Sequence, residues 1–515
     1  MQRVECYGVF EVTIAIKETG NPFKDHELFG LFVGEHEKKR VRGFYDGEGI
    51  FKIRFMPSFQ GEYHYMLQAN FQLETSEGSF VVQTAQIDNH GPVRVANQFH
   101  FAYEDGIRYF PVGTTCYAWH LQSEEMQEQT LKTLKESGFN KLRFCVLPKH
   151  YRYNLQEPKT YPYERKDNAQ WKPEDFAEDN LEEKPRNPLG GIQVMIEEPD
   201  TVWDYERFNP KYFQHIEKCI EKLMKLGIEA DIILLHPYDR WGYSIMGEEN
   251  ENFLLQYMIA RFAAFRNVWW SLANEYDLFR EKPIRQWEEN AKVLLREDPY
   301  GHLRSIHNCM RLYDYTRAWI THCSIQRTDL YKTAENTAEW RTRFGKPIVL
   351  DEIAYEGNIA YGWGNISGEE MVRRFWEAYT RGGYATHGET YTHPENILWW
   401  SHGGILHGSS PKRIAFLRKI MEEAPGNGME PTETLFDETI VTEKGSVGVA
   451  KCYVYYFGAN RPSEREFRLP DTQQYRAQII DTWNMEIQDV GCVKGNFTLT
   501  LPGRGYIAVR FMAVE

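Results

Sequence analysis

The 515-residue sequence contains no apolar run long enough to span a bilayer, and no basic amino-terminal stretch leads into one. A membrane span and a secretory leader are therefore not expected, and the chain reads as cytoplasmic. It also lacks a dense lysine/arginine stripe: 60 basic against 74 acidic residues leave a formal net charge of -14. That balance argues against nucleic acid or an anionic membrane as partner. The eight cysteines show no CxxC or other ligand spacing, which predicts reduced, mostly buried thiols. No GxGxxG or GxxxxGK[ST] follows an apolar run, no GxSxG elbow is present, and HExxH is absent. Nucleotide binding, α/β-hydrolase chemistry and a catalytic metal thus lose their usual support, and neither cofactor nor metal is expected.

Aromatic side chains, in contrast, are abundant, at 15% of the chain with 14 Trp and 31 Tyr. Flat rings with a polar handle suit the apolar faces of sugars, although each single ring fits a large core equally well. The length suggests several domains. Residues 1–92 carry short alternating runs such as 8–16 and 61–67 between Gly, Pro and Asn turns, the pattern of a small β-sandwich. Between 93 and 428, apolar runs alternate with helical periodicity, which indicates repeated β-α units and a parallel sheet. Eight runs can be placed, near 109–117, 141–147, 229–235, 268–273, 304–307, 319–325, 347–350 and 383–387, the number an α/β barrel needs. Helices are expected over 125–137, 210–226, 284–296 and 369–380. Residues 429–515 return to short strands, including 448–457 and 505–511, and form a second β-domain. The expected architecture is multidomain α/β, a (β/α)8 TIM barrel between an N-terminal immunoglobulin-like and a C-terminal β-sandwich. An insertion at about 149–204, rich in Tyr, Pro, Asn and charge, leaves the carboxyl end of the second strand and should wall the barrel mouth.

Two glutamates close apolar runs: Glu275 in VWWSLANEYD (268–277) and Glu352 in PIVLDEIAYEG (347–357). Polar residues at the carboxyl ends of barrel strands are where such folds do chemistry, and two facing carboxyl groups can cleave a glycosidic bond. Ser271 and Ala273 share the parity of Glu275 and leave it room. By parity, Ile348 and Leu350 lie on the face of Glu352, whereas Asp351 belongs to the opposite face and is expected to bond loop amides. Bulges shift parity, so Glu356 and Glu389 stay in reserve. Arg143, at the second strand, is placed to keep Glu352 ionised. His236 and Tyr238 follow the third strand, Trp119 and His120 the first, and His322 lies on the sixth. Trp399 and Trp400 offer a stacking platform, one of the two being expected to serve barrel-helix packing instead. Histidines 387, 393, 402 and 407 show no metal-ligand spacing.

Asn274-Glu275 at the fourth strand and Glu352 at the seventh resemble the arrangement of clan A retaining glycoside hydrolases, and the whole layout is similar to family 5-like and apiosidase-like barrel proteins. The resemblance implies that Glu275 is the acid/base, Asn274 binds the sugar 2-hydroxyl and Glu352 is the nucleophile. It also implies that Arg143 lies beside the nucleophile and that His236 binds substrate. His322 stands where many clan members place a tyrosine, and no Trp ends the eighth strand, so Trp399 or Trp400 would supply the floor. The resulting expectation is a retaining glycosidase with a carbohydrate substrate, cutting short oligosaccharides from the end. The same glutamate pair also serves endo-acting and transglycosylating enzymes, a non-catalytic sugar-binding barrel is the rival of another class, and a homo-oligomer is left open.

Overall fold

The computed structural model describes residues 2–17, 19–169, 198–279, 282–393, 398–426, 428–432, 439–444 and 449–515. Much of the second-strand insertion, residues 170–197, lies outside them.

Eight parallel strands form the central sheet: Val112–Thr115, Lys141–Cys145, Glu229–Leu235, Val268–Ala273, Arg304–Ser305, Cys323–Gln326, Ile348–Glu352 and Tyr384–His387. Neighbours in the chain are neighbours in the sheet, the last pairs with the first, and a His307–Ser324 bridge joins the fifth to the sixth, closing a TIM barrel. Expected strand positions hold to within a few residues, because every strand is buried on both faces and reads as an apolar run. The expected helices appear as Glu124–Glu136, Pro210–Lys225, Ile284–Glu297 and Gly368–Tyr379. Three of these start on side-chain caps, Ser123 accepting from the Met126 amide at 3.2 Å, Asn209 from Lys211 at 3.2 Å and Ser367 from Glu370 at 3.3 Å. A further helix, Glu248–Phe262, escaped the periodicity because nearly all of 254–262 is buried, leaving little amphipathic contrast.

The lumen is polar for a barrel core. Lys141 bridges Asp231 at 2.6 Å and Asp351 at 2.9 Å, and Thr386 donates to Asp351 at 2.7 Å. Below them Phe101, from the strand His100–Tyr103, packs on Trp269, His322 and Tyr384 at 5.3, 5.9 and 5.4 Å and plugs the amino-terminal end.

The N-terminal β-sandwich sets a five-stranded sheet on a three-stranded one. It docks on barrel helices through a buried network: Arg54 reaches Glu217 at 2.7 Å, while Arg261 reaches Glu217 at 2.7 Å and Asp46 at 2.6 Å. The C-terminal β-domain has a six-stranded sheet and a separate strand pair, Glu464–Arg468 with Asn496–Thr500. Among the described residues no helix is long and apolar enough to cross a membrane. All eight cysteines are free thiols, and six are buried.

Candidate active site

The fourth strand ends at Ala273, and the Asn274 amide continues its ladder to Leu235 O at 2.9 Å. Glu275 then turns left-handed, with φ 47° and ψ 55°. A non-glycine residue held there costs on the order of 1 kcal/mol or more, a strain that recurs at functional sites. The turn aims the carboxyl group into the mouth. On the seventh strand, pairing slips between Ile325 and Gln326, so that Gln326 sits opposite Glu352 and Asp351 is passed over. This irregularity corrects the parity argument. Asp351 does not bond loop amides: it points into the lumen onto Lys141, Ser324 and Thr386. The slip lets Glu352, one residue on, also turn inward.

The two carboxyl groups sit in opposite electrostatic surroundings. Glu352 Oε1 accepts the Tyr117 hydroxyl, and Arg143 Nη1 lies 3.3 Å from it. Arg143 is fully buried, and although burial opposes its charge, Tyr117, Asp351, Glu352 and Asp231 around it raise its pKa above the ordinary value. Its second nitrogen donates to Asn274 Oδ1 at 2.7 Å. The Asn274 amide nitrogen is left without a partner among the described residues, free to donate. His307 Nε2 is 3.8 Å from Glu352, and burial first, then the Arg143 charge, holds that imidazole well below its usual pKa and hence neutral. Glu275, in contrast, has its pKa pushed up to about 7 by burial and next by the Glu352 charge, against the opposing effects of Lys149, Tyr238 and Cys309. Its Oε2 accepts the Tyr238 hydroxyl. One carboxylate is thus held by a cation, and its partner retains a proton near neutral pH.

An aromatic wall flanks the pair. Trp400 lies 5.2 Å from both Tyr151 and Trp363 and 5.6 Å from Tyr117 and Tyr355. Tyr151 and Tyr153 come from the beginning of the second-strand insertion, whose residues 170–197 lie outside the described residues.

Several predicted residues are placed elsewhere. Trp119 and His120 pack on Phe144 at 5.9 and 5.6 Å, behind the second strand, because the chain leaves the first strand through a buried 3-10 turn. His322 has lumen parity but sits low, 5.2 Å from Trp269 against the Phe101 plug. The hydroxyl expected near it comes instead from Tyr117. His236 is held by backbone at both nitrogens, Leu147 O at 3.1 Å and the Tyr238 amide at 3.2 Å, so it orients that loop. Trp399 donates to Thr114 Oγ1 at 2.8 Å behind the first strand, leaving Trp400 alone on the wall. Glu389 accepts the His407 and Gly408 amides at 2.5 and 2.8 Å, and Glu356 accepts those of Ser409 and Ser410 at 2.7 and 3.0 Å. With His387 they form the one group among the described residues whose ligand atoms approach within 4.8 Å. Each carboxylate oxygen already receives an amide, at the positive end of the helix Ser410–Glu422, where a cation is disfavoured. Tyr117, Lys149, His307, Cys309 and Tyr355 were missed. Tyr117 and His307 end strands and could have been found by that position; the others arrive from loops.

A family model described as the apiosidase-like catalytic domain matches residues 95–425, and two domains of unknown function match residues 3–70 and 442–512. A protein from Bacteroides vulgatus ATCC 8482, provisionally assigned as a glycoside hydrolase, is 36% identical over 100% of both chains, with TM-score 0.87. A glycoside hydrolase family 5 structure from the same organism shares the fold at 14% identity, covering 84% of this chain and 95% of its own, with TM-score 0.59. A third structure, named only as a glycoside hydrolase, is 13% identical over 84% of this chain and 98% of its own, with TM-score 0.58. No functionally curated protein matches. With its family model spanning most of the chain and its barrel built like that of family 5, this protein belongs to the apiosidase-like catalytic-domain family and is a glycoside hydrolase.

Proposed function

We propose that the protein is a retaining glycosidase in which Glu352 is the nucleophile and Glu275 the acid/base. In the first step Glu352 attacks the anomeric carbon as Glu275 gives its proton to the departing glycosidic oxygen, leaving a glycosyl-enzyme ester and an ionised Glu275. Water then attacks the same carbon, Glu275 takes the water's proton, and the ester bond to Glu352 breaks. The observation that carries this assignment is the contrast between the two carboxyl groups. Glu352 faces Arg143 and the Tyr117 hydroxyl, which suit an anion; Glu275 is pushed up to about 7, which suits a proton donor. The Asn274 amide, fixed through its oxygen by Arg143, offers N–H donors to the sugar 2-hydroxyl. Tyr151, Tyr153, Trp363 and Trp400 wall one side of the pair, which supports removal of residues from a chain end over internal cutting.

A 2-fluoro glycoside with a good leaving group tests the assignment. Mass spectrometry of the proteolysed adduct should find the sugar on Glu352, and a label on another carboxylate would refute it. Products that shorten a polysaccharide internally from the first time point would refute end-wise action.

A further inference from the structure

Lys149 opens the second-strand insertion, and its side chain is only 2% exposed. Its ammonium nitrogen lies 3.3 Å from the ring centre of Tyr117, 4.4 Å from Tyr238, 4.8 Å from Tyr151 and 5.8 Å from Trp400. Tyr117 and Tyr238 are the residues whose hydroxyls bind Glu352 and Glu275, so the ammonium sits at the junction of the glutamate pair and the aromatic wall. Among the described residues it has neither a carboxylate within ion-pair distance nor a hydrogen-bond acceptor. Other buried cations here are matched: Lys141 by two aspartates, Arg261 by Asp46 and Glu217, Lys282 by Glu251.

An unmatched buried ammonium is costly, and burial indeed lowers its pKa. Ring faces recover part of that through cation–π attraction but provide no acceptor for its N–H donors. Three residues further on, the exposed Arg152 touches the Tyr361 hydroxyl at 3.2 Å, and Tyr361 stacks on Trp363 at 6.0 Å. Arg152 too has no carboxylate partner among the described residues. A chain with 74 acidic residues against 60 basic ones thus leaves two cations at the start of this insertion without an ion-pair partner among the described residues, both on the wall beside its carboxyl pair.

We propose that Lys149 is a specificity residue for an acidic saccharide, its ammonium pairing with an anionic group, carboxylate or sulfate, on the sugar held between the glutamates and the wall, with Arg152 adding a second positive charge at the rim. The inference rests on the glycosidase reading for the place of the sugar. A single desolvated charge pair of this kind separates a charged ligand from its neutral counterpart by about ten- to a hundredfold.

Calorimetric titration of the full chain with glucuronate, galacturonate, glucose 6-sulfate, glucose and galactose tests it. The expected result is that at least one acidic sugar binds ten- to a hundredfold more tightly than its neutral counterpart. K149M should bring that ratio to about unity, while K149R retains part of it and R152Q lowers it only a few-fold. Preference for a uronate assigns the anion as carboxylate, and preference for the 6-sulfate assigns it as sulfate. Equal or tighter binding of the neutral sugars, no preference in any pair, or a preference that survives in K149M overturns the proposal. Far-ultraviolet circular dichroism and the melting temperature of each variant separate loss of the pairing from misfolding. Repeating the titration with E352Q separates the two readings: a preference present there, in a wild type that hydrolyses no glycoside, keeps Lys149 as the anion site and removes the catalytic assignment.

Discussion

If Glu275 donates the proton, the alkaline limb of activity belongs to its environment and moves predictably when that environment changes. Its pKa is pushed up to about 7 from an ordinary 4.5, by burial first and the Glu352 charge second. That gap corresponds to roughly 3 kcal/mol against ionisation. For wild type, kcat/KM on an aryl glycoside with a poor leaving group should fall above an apparent pKa of about 7, a value belonging to the interacting pair. The Tyr238 hydroxyl stabilises the ionised form, so Y238F should move the limb to higher pH. A hydrogen bond to a charged group is worth about 1.5–3 kcal/mol, or about one to two pH units. K149M removes a neighbouring positive charge and should also shift the limb upward, whereas E352Q removes the negative one and should lower the Glu275 pKa, read by carboxyl carbon NMR. Burial remains as the largest cause, so in E352Q the value should stay above 4.5. A limb that stays fixed, or moves down, in both Y238F and K149M would refute Glu275 as the titrating acid. The sign carries over to stability: a folded pKa above the unfolded value means that this contribution is present below pH 4.5 and is lost as pH rises through about 7.

Further tests follow from the same geometry. E275A should lose about 10²–10⁴ in kcat on a poor leaving group, and on a glycoside whose leaving group departs without a proton azide should rescue it to a glycosyl azide of unchanged anomeric configuration, whereas rescue of E352A should give the opposite configuration; proton NMR of the products distinguishes them. D351A should lower stability by about 1.5–3 kcal/mol in denaturant titrations, because Lys141 keeps Asp231 but loses its second carboxylate in the lumen, and labelling of Glu352 by the fluoro glycoside should persist in the folded fraction. E217A should cost about 3–5 kcal/mol, because Arg54 loses its buried carboxylate and Arg261 is left with Asp46 alone at the sandwich–barrel junction; E217A combined with R54M should cost less than the sum of the two single changes. W400A should raise KM several-fold more than it lowers kcat, whereas W399F, behind the first strand, should alter the melting temperature and leave KM near the wild-type value.

The sequence by itself determined the barrel, because the strands are buried on both faces and read as mainly apolar runs, broken where lumen residues such as Lys141, Arg143 and Asp231 stand, and four helices carry caps or clear periodicity. It also placed Asn274, Glu275 and Glu352 at strand ends, since those positions follow from where the apolar runs stop. Lateral arrangement was not legible there. A pairing slip of one residue decides that Asp351 and Glu352 both turn inward, and strand alternation carries no trace of it. A buried 3-10 turn sends Trp119 and His120 behind the sheet, and a low lumen position takes His322 to the Phe101 plug. Lys149 and Tyr151 meet the site from one loop and Tyr355 from another far along the chain, where no period relates them. The identities of the two carboxyl groups were local, whereas the burial that raises the Glu275 pKa and the contacts of the pair with Arg143, Tyr117 and Tyr238 arise only in the closed barrel.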